Sequence, residues 1–218
     1  MDLFNKTIVF AGDSITDMNR GRNEKDLNHI YGHSYVFLLA SRFGYEFADK
    51  NISIVNRGVS SDTSSLLLNR WDEDVLSQNP DIISLLIGTN DILIPAGNNQ
   101  IIDVDLYIQN LSDMYSSAKK NNPDVKFIIC EPFAFAEILE SRIRSAYNKF
   151  LPVFQKSAKD FAEKTDSCFV PLQCEFDRIA AKFPSINIRH WIWDGVHPTA
   201  AGHKVIEKQW LKYAADKL

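Results

Sequence analysis

Apolar and polar positions alternate along this chain in two rhythms. Short, largely apolar runs occur at Ile8–Ala11, Ile52–Asn56, Ile82–Ile87, Val125–Cys130 and Ser167–Pro171. Runs of this length predict strands buried on both faces. Between them, apolar residues recur at helical spacing. Helices are predicted over Tyr35–Phe43, closed by Gly44, and over Thr63–Leu76, Asp105–Lys120 and Ser141–Lys164, with a weaker one over Cys174–Phe183. A last helix starts at Pro198, since proline suits the first helical position. The charged stretch Met18–Asn28 and a long segment with Pro95 and Gly97 read as loops. Strands alternating with helices predict a parallel sheet covered on both faces, hence an α/β fold. No internal repeat or linker divides residues 1–218, and a single domain is expected.

Composition narrows the class. The net charge is -4, with Lys and Arg scattered, so no stripe exists to hold a phosphate backbone and nucleic acid is not an expected partner. No run of 18 apolar residues predicts a membrane span. Met1–Phe10 lacks the pattern of a signal peptide and reads as the first strand. Cys130, Cys168 and Cys174 cannot all pair internally, and none forms a C-x-x-C, so a reduced, cytoplasmic setting is expected. No pair of histidines or cysteines has convincing metal-ligand spacing; no metal and no cofactor are expected.

The candidate chemistry lies where strands end. Ile8–Ala11 breaks at Gly12-Asp13-Ser14, and a serine just past a buried strand sits where open α/β sheets place ligands. Gly58 follows the second strand, Asn90 follows the third in Gly88-Thr89-Asn90-Asp91, and Asp194 and His197 precede the final helix. A serine hydroxyl needs a base, which His197 supplies; Asp194, three residues earlier, can hold the imidazole. The N–H groups of Ser14 and Gly58 and the Asn90 amide can receive an oxyanion. Asp13 and Asp91 are read as braces of their turns.

These residues resemble the four blocks of the SGNH (GDSL) hydrolases: Gly12-Asp13-Ser14, Gly58, Gly88–Asp91 and Asp194–Pro198, in order, over about residues 6 to 210. The resemblance implies a flavodoxin-like three-layer α/β/α sandwich on a five-stranded parallel sheet. It implies Ser14 as nucleophile, Asp194 and His197 as acid and base, and Gly58 and Asn90 as oxyanion donors. Arg70-Trp71 with Asp74, Trp193-Asp194 and Gly202-His203 are similar to the acetylxylan esterase-like branch of carbohydrate acetylesterases. Asn28–His33 departs from that branch, which has small residues there, so a different substrate rim is expected. The chain lacks the G-x-S-x-G elbow of α/β-hydrolases, because position 16 is Thr.

Trp71, Trp191 and Trp193 are candidates to stack a sugar ring, and Phe133 and Phe135 to wall an acyl pocket. His203 is read as structural; His29, His33 and His190 are left open. The expected activity is serine-dependent hydrolysis of short acyl esters, acetyl groups on carbohydrates above all, through an acyl-enzyme. The expected partner is a small-molecule ester, taken to be an acetylated sugar, with self-association left open. Two alternatives stand: a lysophospholipase- or thioesterase-type acylhydrolase, and a non-catalytic flavodoxin-like binding module. The second has no glycine-rich phosphate cradle after the first strand to support it.

Overall fold

The computed structural model describes residues 4–214; of the Met1–Phe10 segment expected as the first strand, Met1–Leu3 lie outside the described residues, Phe4 and Asn5 form a turn, and the strand begins only at Thr7. Five strands, β1 (Thr7–Gly12), β2 (Ser53–Gly58), β3 (Ile82–Leu86), β4 (Lys126–Cys130) and β5 (Cys168–Val170), form one sheet in the order β2-β1-β3-β4-β5. Every pairing is parallel. Gly12 pairs with Gly58 on one side and Leu86 on the other. The strand ends that lead to Ser14, Gly58 and Asn90 therefore finish level, beside the point where the strand order reverses.

The helices are α1 (Ser14–Asp17), α2 (Tyr35–Glu46), α3 (Ser64–Asn69), α4 (Thr89–Asn98), α5 (Val104–Asn121), α6 (Ser141–Lys164), α7 (Gln173–Lys182) and α8 (Ala200–Ala214). Alternate strand residues enter different cores, as the pleat requires. Ile8, Phe10, Ile128 and Cys130 pack with Tyr35, Leu39, Phe176, Ile206 and Trp210 of α2, α7 and α8. Val9, Ala11, Phe127 and Ile129 pack with Leu67, Leu111, Met114, Phe154 and Phe161 of α3, α5 and α6. Ser84 is a polar exception inside β3, and its hydroxyl accepts from Trp210 Nε1 at 2.9 Å.

Three local expectations are corrected. Gly44 does not close α2: a Cβ there would meet nothing, and the helix runs on to bring Phe43 against Phe47 with ring centroids 5.8 Å apart. The segment with Pro95 and Gly97 is largely helical, because Ile92 and Ala96 are buried four residues apart on one face of α4 and packing overrides the missing N–H. The helix expected over Thr63–Leu76 stops at Asn69 and continues as a wider turn, Trp71–Val75, then a tighter one, Leu76–Gln78.

Candidate active site

Ser14 opens α1 directly after β1. Asp13 caps that helix, its Oδ1 accepting the Ile15 N–H at 2.9 Å, which aims the first turn away from the strand. Burial pushes the Asp13 carboxyl up to about 7, partly offset by that same N–H, and its Oδ2 has no partner among the described residues.

Asp194 and His197 come from the loop before α8. The loop is clasped by a bridge between Ile192 and Pro198 and by the Trp193 N–H, which donates to the His197 carbonyl at 3.1 Å. Asp194 Oδ1 accepts the Val196 and His197 N–H groups at 3.1 and 2.9 Å. Gly195 carries φ 108°, and a Cβ there would fall 2.5 Å from Leu139, so this turn needs glycine. The free Oδ2 of Asp194 meets His197 Nδ1 at 2.7 Å, and His197 Nε2 meets Ser14 Oγ at 2.8 Å. The Asp194 hydrogen bond raises the His197 pKa, against burial, which lowers it. Burial pushes the Asp194 carboxyl up, but its bonds from the His197 ring and from two backbone N–H groups hold it below its ordinary value.

Asn90 lies in the first turn of α4, buried, and one hydrogen of its amide is donated to the Asp62 carbonyl at 2.9 Å. An amide nitrogen carries two hydrogens, so one remains. The next residue, Asp91, accepts from both the backbone N–H (2.9 Å) and the hydroxyl (2.5 Å) of Ser64. From the other side, Tyr147 donates its hydroxyl to the Thr89 carbonyl at 2.8 Å. The turn bearing Asn90 is thus fixed from two directions. Asp91 and Asp13 do brace their turns.

Gly58 is a correction. Its only N–H donates to Asn56 Oδ1 at 2.9 Å and is not open to an oxyanion. Its glycine character serves close packing instead: a Cβ would stand 2.3 Å from the Asp17 backbone nitrogen. The Ser14 and Ser61 N–H groups have no partner among the described residues. Ser61, which the sequence reading missed, carries φ 70° and immediately precedes Asp62, the carbonyl that holds Asn90. The signal that pointed to it was a polar turn after β2, without a residue singled out.

The aromatic candidates separate cleanly. Trp71 and Phe133 are 1% and 0% exposed and belong to the two cores, so neither meets a substrate. Large rings that fill a core do so because the area they bury outweighs any surface use. Phe135 is also buried, edge-on to Phe176. Trp191 is half-buried between His190 and Phe183, its Nε1 enclosed. Trp193 is 56% exposed and lies nearly parallel to the His197 ring, centroids 6.2 Å apart. A cavity of about 810 Å³ runs along β2, lined by Arg20, Tyr31, Ile54 and Arg57 among others, and does not include Ser14.

A parallel doubly wound sheet with a serine, histidine and aspartate bonded in series at its carboxyl edge defines a class of serine-dependent hydrolases. The chain matches the GDSL-like Lipase/Acylhydrolase family over residues 10–205 and belongs to it. It is a carboxylic ester hydrolase of that family. It is 30% identical to the acetylxylan esterase of Geobacillus stearothermophilus, over 94% of this chain and 92% of that one. A structure of that esterase superposes with TM-score 0.81 at 29% identity, covering 97% and 95%. A Parabacteroides merdae protein described as a GDSL-like lipase superposes with TM-score 0.88 at 31% identity, covering 96% and 95%. Catalytic mutants of the Geobacillus esterase replace a serine, an aspartate or a histidine, the last two spaced as Asp194 and His197 are here.

Proposed function

We propose that this chain removes short acyl groups, acetyl above all, from carbohydrate esters, with Ser14 as nucleophile. The observation that carries the chemistry is the continuous chain Ser14 Oγ, His197 Nε2, His197 Nδ1, Asp194 Oδ2 at 2.8 and 2.7 Å. Ser14 Oγ attacks the acyl carbonyl as its proton passes to His197 Nε2, and Asp194 stabilises the imidazolium. The carbonyl oxygen becomes an oxyanion, received by the N–H groups of Ser14 and Ser61 and the second amide hydrogen of Asn90. Collapse breaks the ester bond, and the leaving alkoxide takes the proton from Nε2. Water, deprotonated by His197, then attacks the acyl-enzyme; the carboxylic acid departs and Ser14 regains its proton.

The substrate reading rests on the surroundings of this chain of bonds. Trp193, flat and exposed beside His197, suits a sugar ring, whose faces are apolar and whose edges are hydroxyls. An enzyme for long acyl chains must instead bury methylenes, each worth about 0.8 kcal/mol. Of the apolar Ile92–Ile94 segment after Asn90, Ile92 is committed to the core. The likeness to an acetylxylan esterase across nearly the whole chain supports the same choice.

The test is kcat/KM on p-nitrophenyl acetate, butyrate and octanoate, with acetate release from peracetylated xylose. Acetate is expected to be the best acyl group and the sugar to be deacetylated. If octanoate wins and the sugar is untouched, a lipid-acyl substrate replaces the sugar ester.

A further inference from the structure

We propose that Arg70 is a positioning residue for the Asn90 amide, acting through Asp62; this rests on Asn90 being an oxyanion donor.

Arg70 stands where α3 gives way to the Trp71–Val75 turn, and its side chain is 19% exposed. Each arm of its guanidinium is engaged. Nε donates to Asp62 Oδ2 at 2.7 Å, and Nη1 to Asp74 Oδ2. Nη2 donates to the Arg57 carbonyl at 2.9 Å and to the Gly12 carbonyl at 3.3 Å. Gly12 precedes Ser14 by two residues, Arg57 is in β2, and the Asp62 carbonyl holds Asn90 at 2.9 Å. One rigid fork thus ties the strand that carries the nucleophile to the turn that aims the amide.

A planar guanidinium offers five donors in fixed directions, whereas an ammonium is a point charge on a flexible stem. Lysine can keep an ion pair here but cannot span two carboxylates and two carbonyls together. Asp74 is itself shared, lying 3.2 Å from Arg57 Nε, so the fork is anchored at its far end. The Arg70-Trp71-Asp74 pattern acquires a physical division: Trp71 fills the core, while Arg70 and Asp74 face the strand ends. Oxyanion stabilisation depends on donors held at about 2.7–3.1 Å from the developing charge, so a small shift of the Asp62 turn costs turnover.

The experiment measures kcat and KM for Arg70→Lys and Asp62→Ala, each alone and combined with Asn90→Ala. Each single change is expected to lower kcat by about tenfold or more, with KM within about twofold. Combined with Asn90→Ala, each is expected to add less than about threefold, because residues acting as a unit are not additive. If the same loss recurs in the Asn90→Ala background, or falls on KM alone, Arg70 does not act through Asn90. If Asn90→Ala itself leaves kcat intact, the oxyanion reading fails and this proposal with it. Should Arg70→Lys not fold, Asp62→Ala removes the acceptor at the other end of the same link while leaving the backbone carbonyl in place.

Discussion

Ser14 Oγ and His197 Nε2 lie 2.8 Å apart although 183 residues separate them. The sheet accounts for one end of this contact, since β1 delivers Ser14 to its carboxyl edge. The other end depends on the clasped loop before α8, in which Asp194 binds both the backbone and the ring of His197.

On the proposed mechanism, activity is expected to follow the protonation of His197, because an imidazole acts as base only when neutral. Asp194 raises its pKa above the ordinary 6.5. The rate is therefore expected to rise with pH through a midpoint above that value and to fall as the ring takes up its proton. Asp194→Asn should move the midpoint down and lower kcat by orders of magnitude, on the order of 10⁴ in the best-studied triad. A pH–rate profile flat from about 5 to 9, with chemistry limiting, would show that another group is the base.

The reassignment of Gly58 separates two neighbouring positions. Gly58→Ala places a methyl against the Asp17 backbone and is expected to destabilise by about 1–3 kcal/mol. Ser61→Gly keeps the N–H and relieves a left-handed φ, so kcat should stay within about twofold. Asn90→Ala should lower kcat about 10²–10³-fold with KM little changed. Denaturant titration with steady-state kinetics checks all three; loss of kcat in Ser61→Gly would contradict the assignment.

Trp71 and Trp193 should respond oppositely. Trp71→Ala empties a core site and is expected to cost about 3–5 kcal/mol of stability. Trp193→Ala should leave stability within about 0.5 kcal/mol and raise KM for an acetylated sugar more than for p-nitrophenyl acetate. Equal effects on both substrates would remove the sugar-stacking role.

His203 is expected to contribute to acid sensitivity. Burial, with repulsion from His33 and His197, lowers its pKa to about 3 from the ordinary 6.5, and its Nδ1 accepts the Tyr35 N–H at 3.2 Å. The unfolded chain takes up this proton near 6.5 and the folded one resists it. Stability from this group is thus complete above about 6.5 and is lost as pH falls towards about 3, by up to ~1.4 kcal/mol per pH unit. His203→Gln should flatten that slope in urea titrations at stepped pH; an unchanged slope would assign acid sensitivity elsewhere.

Much of this was legible in the residues. Strands buried on both faces announce themselves as apolar runs, and β1 and β3 stand within a residue of where Ile8–Ala11 and Ile82–Ile87 put them. Ser14, Asn90, Asp194 and His197 were legible because each follows a strand or precedes a helix, and parallel strands bring such ends to one edge. What was not legible depends on contacts distant in sequence. Whether the Gly58 N–H is free turns on the Asn56 side chain, and whether Trp71 faces solvent turns on its inclusion in the core on the α3, α5 and α6 side of the sheet. Arg70 carried no sign of its carbonyl partners, because Gly12 and Arg57 reach it only through the register of β1 and β2.

The most direct test of the account is covalent labelling by a fluorophosphonate, followed by peptide mass mapping. The account predicts one equivalent of adduct on Ser14, slowed by orders of magnitude in His197→Ala and absent in Ser14→Ala, which should retain its fold and lose ester hydrolysis. Label on another residue, or Ser14→Ala retaining about a tenth of wild-type turnover in a clean preparation, would contradict it.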